Sequence, residues 1–162
     1  MTVNKGKIKQ QVMDIKRRLS HPVLDNATYT QAVEHGRYPA NPLVPLGEVF
    51  TDDRGQIVNL VCGDFKTVSA IFSKAGTERS NHYHLTDYHY LFVVFGEMEY
   101  YERQVHEPHN DVCLVVKAGE MVFTPPNVVH KTVFRKDTLL LSIAKNIRNH
   151  NEHEQDVVRE KF

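Results

Sequence analysis

The sequence has little of three things: net charge, cysteine and long apolar runs. Its 162 residues carry 20 lysines and arginines against 20 aspartates and glutamates, so the formal net charge is zero. No whole-protein field therefore favours nucleic acid or a membrane surface as a partner. The longest apolar run, around residues 91–95, is far too short to span a bilayer. We expect neither a nucleic-acid-binding nor a membrane protein.

Cysteine usage points to a reducing compartment. Cys62 and Cys113 are the only cysteines and do not form a CxxC motif, so we expect two reduced thiols in a cytoplasmic protein. The basic N-terminus has no apolar stretch behind it, unlike a secretory signal. The length is that of one domain, and the hydrophobic fraction of 41% and charged fraction of 25% are typical of a globular protein.

The first 45 residues predict a helical arm and an extended connector. An amphipathic helix is indicated by apolar residues at helical spacing with lysines and arginines between them: Ile8, Val12, Ile15 and Leu19. This helix either contacts nucleic acid or acidic lipid, or docks on the domain or a second subunit. Docking is favoured, because the apolar stripe needs a partner surface. A second short helix is predicted over residues 28–35, before a proline-rich connector.

Residues 46–145 predict an all-β domain. Nine or ten short segments of period-two, β-forming residues are separated by turn residues, without a helix between them, which indicates a sandwich or closed barrel. One predicted hairpin turns at Gly96. The polar tail, residues 146–162, is expected to be a short helix or an arm lying across the body.

Four histidines suggest a metal site. His82 and His84 are two residues apart and therefore share one face of a strand. A short turn would place His89 beside them on the next strand of one hairpin, and His130 is the candidate fourth ligand. Imidazole suits zinc, nickel and iron, so we expect one divalent ion of open identity. The alternative is a metal-free pocket lined by hydrogen-bonded histidines.

The spacing of these histidines resembles the two motifs of the cupins. In the first motif, Gly76 is followed by five residues, then by the H-x-H pair, and six residues separate position 89 from Gly96. In the second motif, five residues separate Gly119 from Pro125, and His130 stands at the position of the motif's histidine. The resemblance implies a jelly-roll barrel of the type found in sugar-nucleotide epimerases, with the site inside its open end.

His89 departs from the cupin motif, and the role of Asp87 within the motif stays open. His89 stands where cupins usually have glutamate, which makes an all-histidine site. Without a carboxylate ligand an ion would keep its full charge, which favours Lewis-acid chemistry. Asp87 is either a partner that holds an imidazole tautomer or a solvated turn residue.

Two stretches resemble the sugar-nucleotide cupins, namely dTDP-4-dehydrorhamnose 3,5-epimerase and the dTDP-hexose 3,4-ketoisomerases. These are "VFTDDRGQIVNL" and "ERSNHYH", in which Arg79 matches the arginine that holds the diphosphate. His82 and His84 match the histidines that move a proton next to the ketone. The ending "EHEQDVVR" is similar to cupins of surface-polysaccharide synthesis. The resemblance implies an epimerase or isomerase acting on a nucleotide-linked keto sugar.

Enolisation next to a ketone needs a base, a positive centre and, for epimerisation, an acid on the other face. We expect His82 and His84 as bases and Tyr100 as the acid, with Tyr90 and Arg103 joining Arg79 in substrate binding. Each of these tyrosines and arginines also has an ordinary role in packing or at the surface.

Three questions stay open on the sequence alone. A histidine cannot be both a tightly held ligand and a free base, and the enzymes that the chain resembles generally work without a metal. The site is therefore a metal site on a shared scaffold, a metal-free site, or that of a metal-assisted epimerase, as in some cupins of capsule synthesis. The rival functions are an iron-dependent dioxygenase and a non-catalytic sugar-binding or small-ligand-binding module. We also expect a homodimer that exchanges its N-terminal arm, since a barrel of this kind has open edge strands.

Overall fold

The computed structural model describes residues 24–107 and 111–162. The predicted basic helix lies outside these residues. The second predicted helix is present as α1 (Asn26–Glu34), whose N-cap Asp25 accepts a hydrogen bond from the Thr28 amide. In the described part of the chain, no helix is both long and apolar enough to cross a bilayer.

Strands dominate the described residues, which confirms the all-β prediction. They are β1 (Val49–Asp52), β2 (Gly55–Val58), β3 (Thr67–Ser73), β4 (Glu78–His84), β5 (His89–Phe95), β6 (Glu97–Gln104), β7 (Val112–Lys117), β8 (Met121–Thr124), β9 (Val128–Val133), β10 (Thr138–Ala144) and β11 (Val157–Arg159), with α2 (His150–Asp156) before the last. One sheet has the order β3-β10-β5-β8 and the other β11-β4-β9-β6-β7, while β1 and β2 pair only with each other. Their antiparallel pairing is that of a jelly-roll barrel.

The predicted hairpin at Gly96 is wrong. β5 ends in the four-stranded sheet and β6 begins in the five-stranded sheet, so Gly96 carries the chain from one sheet to the other. Gly96 has φ 85°, and a Cβ there would lie 2.5 Å from the Asp137 carbonyl oxygen. A glycine is needed at this crossing because it alone adopts this backbone without strain or clash. Alternation along a strand does not reveal which sheet the next strand joins.

The first half of β5 is buried on both faces because the N-terminal part of the described chain covers its outer side. Tyr29 and Val33 of α1 pack in one apolar cluster with Tyr90 of β5 and Phe123 of β8. The connector then runs along β8, where the Phe123 amide donates to the Pro42 carbonyl. The inner face of β5 is thereby left to line the space between the sheets.

Residues 146–162 belong to the body of the fold. β11 adds to the edge of the five-stranded sheet by pairing with β4, with Arg159 opposite His82. α2 precedes it, with Asn149 as N-cap. The predicted short helix is therefore present, and the tail lies directly against the strand that carries His82 and His84.

Candidate functional site

The fold brings the four predicted histidines together. His82 and His84 lie on β4 and His130 on the neighbouring β9, whereas His89 lies on β5 of the opposite sheet. Ring centroids are 4.6 Å apart for His82 and His130, 5.3 Å for His84 and His89, and 5.1 Å for His89 and His130. The cluster thus spans both sheets, and the expected single hairpin is wrong because β4 and β5 do not pair.

His82, His89 and His130 line a cavity of about 220 Å³ between the two sheets, and His84 is not among its described lining residues. The rest of the described lining is partly apolar and partly polar. The apolar side chains are Ile71, Leu91, Phe134 and Leu140, and the polar ones include Arg79, Ser80, Thr132, Arg148 and His153. The arrangement encloses a small molecule between apolar packing and imidazole nitrogens.

Asp156 orients His84. Its Oδ2 accepts from His84 Nδ1 at 3.0 Å, while its Oδ1 accepts from the Thr86 amide at 2.8 Å and the Thr86 hydroxyl at 2.7 Å. Burial by itself raises the pKa of Asp156, but the hydrogen bonds from Thr86 outweigh it and hold the pKa below its usual value. An ionised Asp156 keeps the proton of His84 on Nδ1 and leaves a lone pair on Nε2.

His130 also has a defined tautomer. Its Nδ1 donates to the Val128 carbonyl at 3.2 Å, which leaves the Nε2 lone pair directed elsewhere. That Nε2 is buried and has no hydrogen-bond partner among the residues that the structure describes. A buried nitrogen of this kind is suited to receive a proton, a metal ion or a ligand hydroxyl.

Arg148 reaches into the cluster from the segment after β10. Its Nη2 lies 2.9 Å from His89 Nδ1 and 3.4 Å from His84 Nε2. Its Nε donates to Asp87 Oδ2 at 2.9 Å, and Asp87 Oδ1 accepts from the Asn146 amide at 2.9 Å. Asp87 is 2% exposed, so it is not a solvated turn residue, and its carboxylate accepts hydrogen bonds from Arg148 and the Asn146 amide. Because a guanidinium only donates, His89 accepts at Nδ1 and is neutral.

All four imidazoles are held neutral. Burial lowers the pKa of His82 to about 4, with His153 and Arg148 adding to the effect, and burial and Arg148 lower the pKa of His84 to about 3. Burial also lowers the pKa values of His89 and His130 well below the usual range. At neutral pH these groups are therefore proton acceptors or ligands, and not acids.

A divalent ion fits three of the four predicted ligands. Among the described residues, the nitrogens of His82, His84 and His130 lie within 4.8 Å of one another, and His89 is not part of this group. Asp156 and the Val128 carbonyl hold the opposite nitrogens of His84 and His130, as outer partners of metal-bound histidines do. The group of His84, Asp87 and Asp156 is also close, but its carboxylates already serve Arg148 and Thr86. Metal binding stays a prediction.

Tyr100 lies in the barrel interior without reaching the cavity. Its hydroxyl contacts Thr124 Oγ1 at 2.8 Å and donates to Glu102 Oε2 at 3.1 Å. Burial, followed by the nearby Glu102, raises the pKa of Tyr100 well above its ordinary value. It is absent from the described cavity lining, so the structure does not bring the predicted acid to the histidines.

Of the three predicted substrate-binding residues, one lies at the cavity and two do not. Arg79 lines the cavity, where its Nε donates to Ser73 Oγ at 2.7 Å. Tyr90 points to the outer face of β5 and packs against α1, because it alternates with the inward His89. Arg103 is held by the C-terminus, donating to Glu160 Oε1 at 2.7 Å and to the Lys161 carbonyl. The structure does not bring Tyr90 or Arg103 to the site.

The sequence motifs point to none of Arg148, Asp156 and His153. All three come from the polar residues 146–162, where no spacing distinguishes a site residue from a surface residue. The His153 ring lies 5.6 Å from that of His84. The only signal in this segment is the similarity of "EHEQDVVR" to the ends of related cupins.

The comparisons find similar folds but no similar sequences. No family model and no curated protein matches the chain. A 3,4-ketoisomerase from Helicobacter canadensis is 20% identical over 70% of this chain and 86% of its own, with a TM-score of 0.59. dTDP-4-dehydrorhamnose 3,5-epimerase from Sulfolobus tokodaii is 17% identical over 69% and 72%, with a TM-score of 0.56.

A third similar structure is the capsular polysaccharide assembling protein CapF from Staphylococcus aureus. It is 25% identical over 73% of this chain but only 33% of its own, with a TM-score of 0.53. These structures share the jelly-roll cupin barrel with this chain. The expected similarity to sugar-nucleotide cupins is thereby confirmed at the level of the fold.

Proposed function

We propose that the protein is an isomerase or epimerase that enolises a nucleotide-linked keto sugar. The carrying observation is a neutral His84 that Asp156 orients, with the Arg148 guanidinium 3.4 Å from its free nitrogen. A base of this kind beside a fixed cation is what proton abstraction next to a ketone requires. Support comes from the fold, which is shared with a 3,4-ketoisomerase and a 3,5-epimerase.

His84 is the proposed base. Its Nε2 reaches the cavity only past Arg148, which lines the cavity and lies 3.4 Å away, and it takes the proton from the carbon next to the ketone when the substrate displaces that contact. Asp156 stabilises the imidazolium that forms at Nδ1. Arg148 donates to the oxygen on which negative charge develops. The contact of 3.4 Å between Arg148 and His84 is long, so a substrate oxygen displaces it at little cost.

The cavity favours ketone transposition over epimerisation. Among the described lining residues there is no tyrosine to act as an acid on the opposite face. One base suffices for transposition, because His84 returns the same proton to the neighbouring carbon of an enediol while a hydroxyl proton moves between the two oxygens. Within the broader proposal, a 3,4-ketoisomerase is therefore the preferred form.

Arg79 is the proposed diphosphate anchor. The cavity of about 220 Å³ is smaller than the roughly 300–1,000 Å³ of a typical ligand pocket, so it holds the sugar ring and leaves the nucleotide outside. Arg79 lines its edge and keeps donors free for a phosphate beyond those given to Ser73 and the Phe72 carbonyl. A role in surface-polysaccharide synthesis follows from this substrate class and belongs to the same proposal.

Proton exchange tests the proposed function. The protein is incubated in heavy water with a panel of dTDP- and UDP-linked 4-keto sugars, and deuterium uptake next to the ketone is followed by NMR. The expected result is uptake with at least one sugar and none with His84→Asn. Binding of a sugar nucleotide without exchange would favour the non-catalytic binding module, and neither binding nor exchange would end the proposal.

A metal-dependent reaction is the second candidate. It is favoured by the three nitrogens of His82, His84 and His130 within 4.8 Å and by the unpartnered Nε2 of His130. A bound ion would supply a Lewis acid, or, as iron, a centre for dioxygen chemistry. Oxygen uptake by iron-loaded protein with candidate diketones is the measurement that would support the dioxygenase.

A homodimer and a cytoplasmic location complete the proposal. The hairpin of β1 and β2 exposes Val49, Phe50 and Ile57 by 54%, 61% and 61%. β3, which pairs only with β10 among the described strands, exposes Val68 by 65%. A second copy covering these side chains would remove the apolar surface and the open edge from water. Sedimentation that gives a monomer at micromolar concentration would refute the dimer.

A further inference from the structure

We infer that the N-terminal segment, residues 5–19, packs as a helix on the outer face of the four-stranded sheet, beside α1 of the same chain. The outer face is defined here by two rows of side chains on β5, β10 and β3: Phe92, Leu141 and Ala70, and Phe95, Leu139 and Phe72. The segment itself lies outside the described residues. The inference does not depend on the proposed function, because this side of the sheet points away from the histidines.

The four-stranded sheet has the composition of a sheet that is covered on both sides. β3, β5 and β10 contain no aspartate, glutamate, lysine or arginine, and the side chains of the outer face are all apolar. The five-stranded sheet differs, because Glu97, Glu99 and Lys131 alternate with its buried residues and form its outer side. Strands that are apolar on both faces are typical of sheets with other elements packed on both faces.

The described chain covers only the row that precedes the outer face. That row contains Tyr90 and Ile143, which pack in one cluster with α1 and are 1% and 8% exposed. Four residues further along β10, Phe72 and Phe95 are 49% and 45% exposed, and their ring centroids are 6.5 Å apart. Neighbouring large apolar side chains at this exposure indicate a contact surface.

The N-terminal segment has the pattern and the dimensions that this surface requires. Its four apolar residues at helical spacing form one stripe, about 17 Å long at about 1.5 Å per residue: Ile8, Val12, Ile15 and Leu19. β3, β10 and β5 together are about 10 Å wide, which is the diameter of one helix. Packed in this way, the segment buries its stripe and keeps its lysines and arginines in water.

The described chain begins beside the outer face. Leu24 packs against the same apolar cluster as Phe92, which belongs to the nearer row of the outer face. Residues 20–23 link the segment to Leu24 and span up to about 13 Å when extended. The farther row lies about 13 Å from Ile143, at about 3.3 Å per residue along β10, so the segment of the same chain reaches both rows. A helix this short needs such a surface, because it is marginal in isolation.

Hydrogen exchange of the full-length protein tests the inference. Amide exchange of residues 8–19 is followed by mass spectrometry in wild type, in Phe72→Asp and in the matched control Phe50→Asp, which changes a 61% exposed phenylalanine of the β1–β2 hairpin. We expect wild-type exchange at least about tenfold slower than in an unfolded chain, and loss of most of this protection in Phe72→Asp alone. Exchange at the unfolded-chain rate in wild type would leave the outer face to another molecule and overturn the inference, as would equal exchange in the two variants.

A cross-link identifies the chain that supplies the segment. Ile15→Cys is paired with Phe72→Cys, and the control pairs Phe72→Cys with Arg17→Cys, which lies on the opposite side of the helix. After treatment with a short bismaleimide, the linked peptides are identified by mass spectrometry. We expect the first pair to link within one chain, at the mass of a monomer, at least about fivefold more than the control pair. Linking between two chains, or equal linking by the two pairs, would overturn the inference. Should Phe72→Asp fail to fold by circular dichroism, the cysteine pairs carry the test, because cysteine leaves no charge on the sheet.

Discussion

Two arginines of this protein are buried to a similar degree but do different things. The side chains of Arg103 and Arg148 are 7% and 17% exposed. Arg103 meets the acceptors of the C-terminus: the Glu160 carboxylate at 2.7 Å and the Lys161 carbonyl at 3.2 Å, with its guanidinium carbon 5.3 Å from the centre of the Phe162 ring. Arg148 also pairs with a carboxylate, that of Asp87, but in addition it directs Nη2 at two neutral imidazoles.

The groups that accept hydrogen bonds from each arginine distinguish a structural role from a role in the proposed reaction. Carboxylate, carbonyl and aromatic face are the partners with which arginine ordinarily fastens one segment to another. Imidazole lone pairs gain less from a cation, and the cation opposes protonation of the imidazole: burial first, and Arg148 after it, lowers the pKa of His84. Burial and charge alone do not distinguish the two residues, whereas the groups they face do.

The largest expected effect comes from removing the base beside Arg148. His84→Asn should lower proton exchange with the keto sugar by about 10²–10⁴-fold, the usual contribution of a general base. The readout is deuterium uptake by NMR at saturating substrate. His35→Asn is the matched control, since His35 is an exposed residue that bonds only its own helix. Equal loss in both variants would show that histidine content, and not this position, matters.

The next effect contrasts the arginines directly. Arg148→Met should reduce kcat for proton exchange by roughly 10²–10³-fold, as expected when a donor to a developing oxyanion is lost. Arg103→Met should leave kcat and KM within about threefold of wild type, because its polar contacts are to Glu160, Lys161 and Asp111, none of which lines the cavity. An equal loss of activity in the two variants, at equal folded fraction, would contradict the different roles assigned to Arg148 and Arg103.

The positions of the histidines were predictable because spacing along strands carries the information. His82 and His84 share a strand face by alternation, and the two cupin motifs place His89 and His130 near them. The barrel and α1 followed from the same local patterns. What alternation cannot supply is sheet membership, which is why Gly96 looked like a hairpin turn although it links two sheets.

Arg148, Asp156 and the role of Asp87 were not predictable, because they depend on how the last residues return across β4. Nothing local marks Arg148 in a segment rich in polar residues, and its partners lie 59 to 64 positions away in the chain. The structure does not bring Tyr90 and Arg103 to the site, for a related reason. Their residue types suit a ligand, but their faces were set by α1 and by the C-terminus packing over them.

A smaller effect tests the structural role of Arg103. Arg103→Met should lower the free energy of unfolding by about 1–2 kcal/mol, from the lost contacts to Glu160, to the Lys161 carbonyl and to the Phe162 ring. Urea unfolding followed by circular dichroism measures it. Glu154→Gln is the control, because its ion pair with Arg159 is exposed and should contribute little. A larger loss in Glu154→Gln would reverse the assignment.

The last contrast is a pH dependence that belongs to the histidines beside Arg148. In the unfolded chain the histidines protonate near pH 6.5, whereas the pKa values of His82 and His84 in the folded protein are about 4 and about 3. Between these values the unfolded state binds more protons, so the contribution of each imidazole is complete above pH 6.5 and is lost as the pH falls. We expect the midpoint of thermal unfolding to drop between pH 7 and pH 5, and the drop to be smaller in His82→Gln. Arg103→Met should change the midpoint by the same amount at every pH, because a guanidinium does not titrate in this range. A wild-type midpoint that is flat across this range would mean that the imidazoles take up protons in the folded protein as they do in the unfolded chain. Arg148 would then face cations at pH 5, contrary to the hydrogen bonds that distinguish it from Arg103.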